Sequence, residues 1–152
     1  STHCISSAAS DVYKRQVKRY PKMTDAHDEK LEGIVQSVME IEKQVSALGG
    51  ARDSCMGNDT EDKLKACSID LELQRVKLEQ ESRLLRKHRV LLSGYVEQIW
   101  SGSTKCIAPG YLEMLVACNA RLQGLCHKSE MAQPYIEKVE QDVEDCRMRF
   151  CN

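Results

Sequence analysis

The chain has 152 residues, 41% hydrophobic and 30% charged, with 22 Lys and Arg against 23 Asp and Glu for a net charge of −1. That length suits one domain with its own buried core, and the balanced charge gives no overall steering toward DNA, RNA or anionic lipid. Only one Trp, one Phe and five Tyr are present, which favours helices over a sheet, and no apolar run approaches the roughly 18 residues that span a bilayer.

Ser1 to Gln16 is small, polar and without period, so it is expected to be disordered. Its tail, Asp11-Val12-Tyr13-Lys14-Arg15-Gln16, looks like translated adaptor sequence, and residues 1–23 are read as a non-native leader ahead of a natural start at Met23. The basic cluster Lys14, Arg15, Lys18, Arg19 and Lys22 then reads as a solvated tail rather than a nucleic-acid or membrane arm. A first helix is expected over about 25–48, capped by Thr24 or Asp25. Its seam is Leu31, Ile34, Val38, Ile41, Val45 and Leu48, and Gly49-Gly50 stops it.

After a loop over 51–59 comes the longest periodic stretch, about 60–100. Leu64, Leu71, Leu78, Leu85, Leu92 and Ile99 recur every seven residues, which returns each side chain to nearly the same helix face. The companion row, Cys67, Gln74, Glu81, His88 and Tyr95, is mostly polar. A second apolar row, Ile69, Leu73, Val76, Leu84 and Leu91, lies to one side and implies a second neighbouring helix. Ser101 to Gly110 reads as a turn. The third helix, about 110–150, carries Tyr111, Leu115, Cys118, Leu122, Leu125, Ser129, Ala132, Ile136, Val139, Val143, Cys146 and Phe150, and its register runs unbroken through Pro134 on the outer face.

The architecture expected is all-α: one domain over 24–152, an elongated antiparallel hairpin of two long helices with a shorter third helix. Facing residues on the hairpin should have numbers summing to about 210. The first helix should cover only about 61–85 of the second, leaving a two-stranded distal end. Its apolar residues, Val90, Leu91, Val96, Ile99, Trp100, Leu112, Leu115 and Val116, are the expected partner-binding surface.

Chemistry is sparse. No phosphate-binding loop, nucleophile elbow or metalloprotease helix is present, so no enzyme, cofactor or metal is expected. Cys67 and Cys146 fall opposite each other, with Cys55 and Cys151 beyond them, and form candidate disulfides. That arrangement broadly resembles the paired-cysteine hairpins of the mitochondrial intermembrane space, although the spacings here, eleven residues and four, differ; buried thiols are the favoured alternative. Cys106, Cys118, Cys126 and His127 are too widely spaced for a structural zinc cage. His88 with Glu81 reads as a register-setting seam pair rather than an acid/base pair. Arg83, Arg86, Lys87 and Arg89 form a dense basic patch beside His88 with no internal partner expected. Glu137, Glu140, Asp142, Glu144 and Asp145 should meet Lys63, Lys65 and Arg75 across the hairpin.

Leu31 to Ser54, heptads ending in Gly49-Gly50-Ala51-Arg52, resembles the corresponding start of the small shoulder subunit of dynactin, an adaptor complex of the dynein motor. The resemblance covers about a sixth of the chain and implies partner helices and no cofactor. The expected function is a non-enzymatic structural or adaptor coiled-coil subunit of a larger, cytoskeletal or motor-associated complex. It should form homo- or hetero-oligomers with other helical proteins in the cytoplasm, with no membrane or nucleic-acid partner. Two alternatives are a disulfide-stapled helical hairpin of an oxidising compartment such as the mitochondrial intermembrane space and a basic-patch RNA-binding module.

Overall fold

The structure, a computed structural model, describes residues 7–50, 58–101 and 110–150, excepting the side chains of 7–14, 16, 17, 58 and 150. Three helices account for them: α1 (Ser7–Gly50), α2 (Asn58–Trp100) and α3 (Tyr111–Phe150). The chain is all-α, as its periodicity demands. Asp59 and Glu61 in the first turn of α2 and Glu113 in that of α3 oppose the positive end of each helix dipole; Arg147 and Arg149 do the reverse at the end of α3. Gly110 starts α3 with φ +88°, and its carbonyl accepts the first backbone hydrogen bond from Met114 at 3.0 Å. A side chain at that φ would be strained, which is why glycine stands there.

Pro134 lies within α3 on its exposed side, as expected. Helix α1 differs from expectation. It begins at Ser7 rather than near 25 and continues through Pro21, so at 44 residues it is the longest of the three, not the shortest. The region read as a disordered leader is helical from Ser7. The reason is visible in the seam: Thr24 and His27 are buried and extend the alternating spacing of Leu31 and Ile34 upstream, but neither side chain is apolar enough to register as period.

The helices contribute to two compact units: unit 1, Ser1–Glu29 with Ser82–His127, and unit 2, Lys30–Glu81 with Lys128–Asn152. In unit 2 the core comprises Leu31, Ile34, Val38, Ile41 and Val45 of α1, Leu64, Cys67, Leu71 and Leu78 of α2, and Ala132, Ile136, Val139, Val143 and Cys146 of α3. Lys138 Nζ donates to Glu42 Oε2 at 2.7 Å and Lys128 Nζ to Glu32 Oε2 at 2.8 Å. Both pairs are 96 residues apart, so α1 and α3 run parallel here, with α2 antiparallel to both. In unit 1 the core is Leu85 and Leu92 of α2 with Tyr111, Leu115, Cys118, Leu122 and Leu125 of α3, and the upstream part of α1 joins it through Thr24 and His27.

The α2–α3 hairpin register is close to expectation. Ser93 bonds Asn119 in unit 1, and Arg75 bonds Glu140 in unit 2. Those numbers sum to 212 and 215, two to five residues beyond the predicted 210. Arg75 meets Glu140 as anticipated, but Lys63 and Lys65 pair with Asp59 and Glu61 one turn back on α2 instead of crossing to α3. A carboxylate four residues away on the same helix is always within reach.

Candidate interaction surface

Unit 1 holds the eight expected partner-binding residues, and the structure separates them. Leu115 is fully buried, Val96, Ile99 and Leu112 are half-buried, and Val90, Leu91, Trp100 and Val116 are exposed, Trp100 at 70%. The reasoning behind the surface does not hold, because this part of the hairpin is not two-stranded. Arg121 of α3 donates to Thr24 Oγ1 at 3.0 Å and to Asp25 Oδ1, and lies 3.7 Å from Asp28. The imidazoles of His27 and His88 sit with ring centroids 5.2 Å apart at 53°. Helix α1 is thereby held against both partners. His88, read as a seam residue beside Glu81, meets His27 of α1.

The second apolar row of α2 also departs from expectation. Its residues were to face a second neighbour, yet Ile69, Leu73 and Val76 in unit 2 and Leu84 and Leu91 in unit 1 are all exposed, Ile69 at 70% and Leu91 at 58%. The periodicity located the row correctly; what lies over it is solvent.

Arg83, Arg86, Lys87 and Arg89 are exposed and make no hydrogen bond or ion pair with any described residue. Arg15, Lys18, Arg19 and Lys22 of α1 are exposed in the same unit, and no described carboxylate pairs with them. These were set aside as leader, and only the packing of α1 into unit 1 brings them into account. Unit 1 has eleven Lys and Arg against six Asp and Glu, a net of +5; unit 2 has eleven against seventeen, a net of −6. The chain's −1 conceals this separation.

Cys67 and Cys146 are brought together, but as two buried thiols rather than a bridge. Burial pushes the Cys67 thiol above its ordinary value, with smaller contributions from Asp70 and Cys146. Cys118 is raised by burial too, partly countered by Arg121. The other candidate disulfide residues, Cys55 and Cys151, and the Cys106 of the zinc set lie outside the described residues. Among the described residues no cluster of three His, Cys, Asp or Glu could hold a metal ion. No described helix is long and apolar enough to cross a membrane.

In unit 2, Glu42 joins two helices: it accepts from Tyr135 Oη at 2.9 Å and from Lys138 Nζ. The Lys138 bond, then the Tyr135 bond, hold its carboxyl below the ordinary range. These contacts tie α1 to α3. A shallow surface depression nearby is lined by Val45, Ser46, Asp142, Asp145, Cys146 and Arg149.

Comparison of the chain with models of known families, with curated proteins and with solved structures returns no match.

Proposed function

We propose that this chain is a non-enzymatic structural or adaptor subunit that works by packing other helices against its outer faces. One observation carries the reading: α2 keeps an entire apolar row, Ile69, Leu73, Val76, Leu84 and Leu91, in solvent while its seam leucines are buried. Exposed aliphatic side chains in a helical row are what a partner helix covers. The likeness of Leu31 to Ser54 to the dynactin shoulder subunit supports a cytoskeletal or motor-associated assembly. The cations of unit 1 that pair with no described carboxylate support RNA as the rival partner, and the two readings separate by the steepness of the salt dependence: binding through phosphates weakens steeply as ionic strength rises, whereas packing on the apolar row weakens only modestly through its flanking charges.

The test is photocrosslinking. A photoreactive residue replaces Ile69 or Leu91, and in a control replaces Glu40 on the exposed side of α1. After irradiation in cell extract, the crosslinked peptides are sequenced by mass spectrometry. The expected products join the α2 positions to helical segments of protein, in yields well above the control. Equal yields from the control position, or crosslinks chiefly to RNA, would overturn the proposal.

A further inference from the structure

The exposed row of α2 has an internal symmetry. Ile69, Leu73 and Val76 stand eleven, seven and four residues before Gln80; Leu84, Lys87 and Leu91 stand four, seven and eleven after it. All seven are exposed, and at 100° per residue they fall within an arc of roughly 80° on α2. A row that reads the same outward in both directions is complementary to itself when two copies run antiparallel, because residues whose numbers sum to 160 then face each other. Ile69 meets Leu91, Val76 meets Leu84, and Gln80 meets Gln80. Leu73 meets Lys87, whose aliphatic stem can lie along it while the ammonium reaches solvent.

The flanking charges obey the same rule except next to the axis, where Glu79 also lies near Glu79 of the other copy, with a number sum of 158. Along one edge of the row stand Glu72 and Glu79, then Arg83 and Arg86, all exposed. In the antiparallel pairing Glu72 lies beside Arg86 and Glu79 beside Arg83, with number sums of 158 and 162. Farther out, exposed Lys65 lies beside exposed Glu97, sum 162. Within the chain Arg83, Arg86 and Glu79 have no ion partner among the described residues, and Glu72 has only Arg75 at 3.9 Å. The two-fold doubles each pair. Parallel pairing would instead set Arg83, Arg86 and Lys87 against their own copies, and like charges facing one another are destabilising.

Resting on the reading above that α2's outer row packs a helix, we infer that the helix is α2 of a second copy of this chain, antiparallel, with a two-fold axis at Gln80. The pairing is closed and isologous. Along the helix edge, Arg83 and Arg86 of one copy thus face Glu79 and Glu72 of the other. Five aliphatic side chains per copy make a small interface, so the dimer is expected to dissociate on dilution and to weaken with salt.

The 152-residue chain is examined by sedimentation velocity over a concentration series, beside two double variants: Arg83→Glu with Arg86→Glu, and Glu72→Arg with Glu79→Arg. Each variant alone should dimerise about tenfold or more weakly than the wild type, and an equimolar mixture of the two should recover wild-type association as a heterodimer. Recovery by mixing cannot come from variants that fail to fold. A photoreactive residue at Gln80 should crosslink to the peptide around Gln80 of the other copy. A wild-type monomer at every concentration, or a mixture no tighter than its components, overturns the self-pairing. Crosslinks that land on another protein's helix also overturn it while leaving the adaptor reading standing; crosslinks to no helix remove both.

Discussion

Gln74 sits on the buried seam of α2 between Leu71 and Leu78, only 6% exposed, and its Oε1 accepts no hydrogen bond. A buried acceptor left without a donor costs about 1–3 kcal/mol. Gln74→Met keeps an unbranched side chain of similar length and removes that acceptor, so little repacking is needed. The substitution should raise unfolding free energy by about 1–2 kcal/mol, and at roughly 2–4 °C per kcal/mol for a chain of this size the midpoint should rise by about 2–8 °C. Gln74→Glu should move the other way, since it buries a charge at the same place. Urea and thermal unfolding followed by circular dichroism measure both, and an unchanged urea slope would assign the gain to stability rather than to the compactness of either state. A Gln74→Met midpoint equal to or below wild type would refute the reasoning and mean that the amide is satisfied. A polar residue retained on a leucine seam at this cost is the kind that fixes register between helices. The stabilised variant should therefore be checked for looser pairing of α2 with its neighbours.

Two further outcomes follow from the same contacts. Glu42 titrates below its ordinary value of 4.5 because Lys138 and Tyr135 bond its ionised form; a lowered folded value means its stabilisation is present above that ordinary value and is lost as pH falls through the folded one. Glu42→Gln should flatten the acid side of the stability profile, and an unchanged profile would exclude this junction as its source. Cys67 and Cys118 are buried with raised thiol pKa values, so alkylation at neutral pH should be far slower than in denaturant; labelling at the denatured rate would show that the seam opens freely.

The seams of α2 and α3 are readable because leucine every seven residues, or apolar residues alternating by three and four over the whole helix, marks a continuous apolar face, and here that face is buried. The same logic failed for the upstream part of α1. Its seam is Thr24 and His27, and a buried polar side chain leaves no apolar signal. Without that helix the distal hairpin reads as bare and Leu115 as surface, although Leu115 is core. The second row of α2 was found but misassigned: periodicity says that a face is apolar, not what covers it. The approach of Cys67 to Cys146 followed from register alone, whereas bridge or thiol is a matter of redox chemistry that spacing does not carry. Lys63 and Lys65 were assigned to distant carboxylates because sequence reasoning weighed the hairpin before the nearer turn. The opposite charges of the two units were invisible in the total, since they emerge only when one knows which segments pack together.

That division of charge makes the chain a block polyampholyte rather than a neutral particle. At its isoelectric point near 6.4 a protein with evenly mixed charges has little electrostatic attraction for its copies, whereas blocks of opposite sign attract across molecules even when the total vanishes. Added electrolyte screens that attraction over about 10 Å at 0.1 M. Near its isoelectric point this protein should consequently salt in, becoming more soluble as moderate salt is added and least soluble in the dilute buffers usually chosen to keep charged proteins apart.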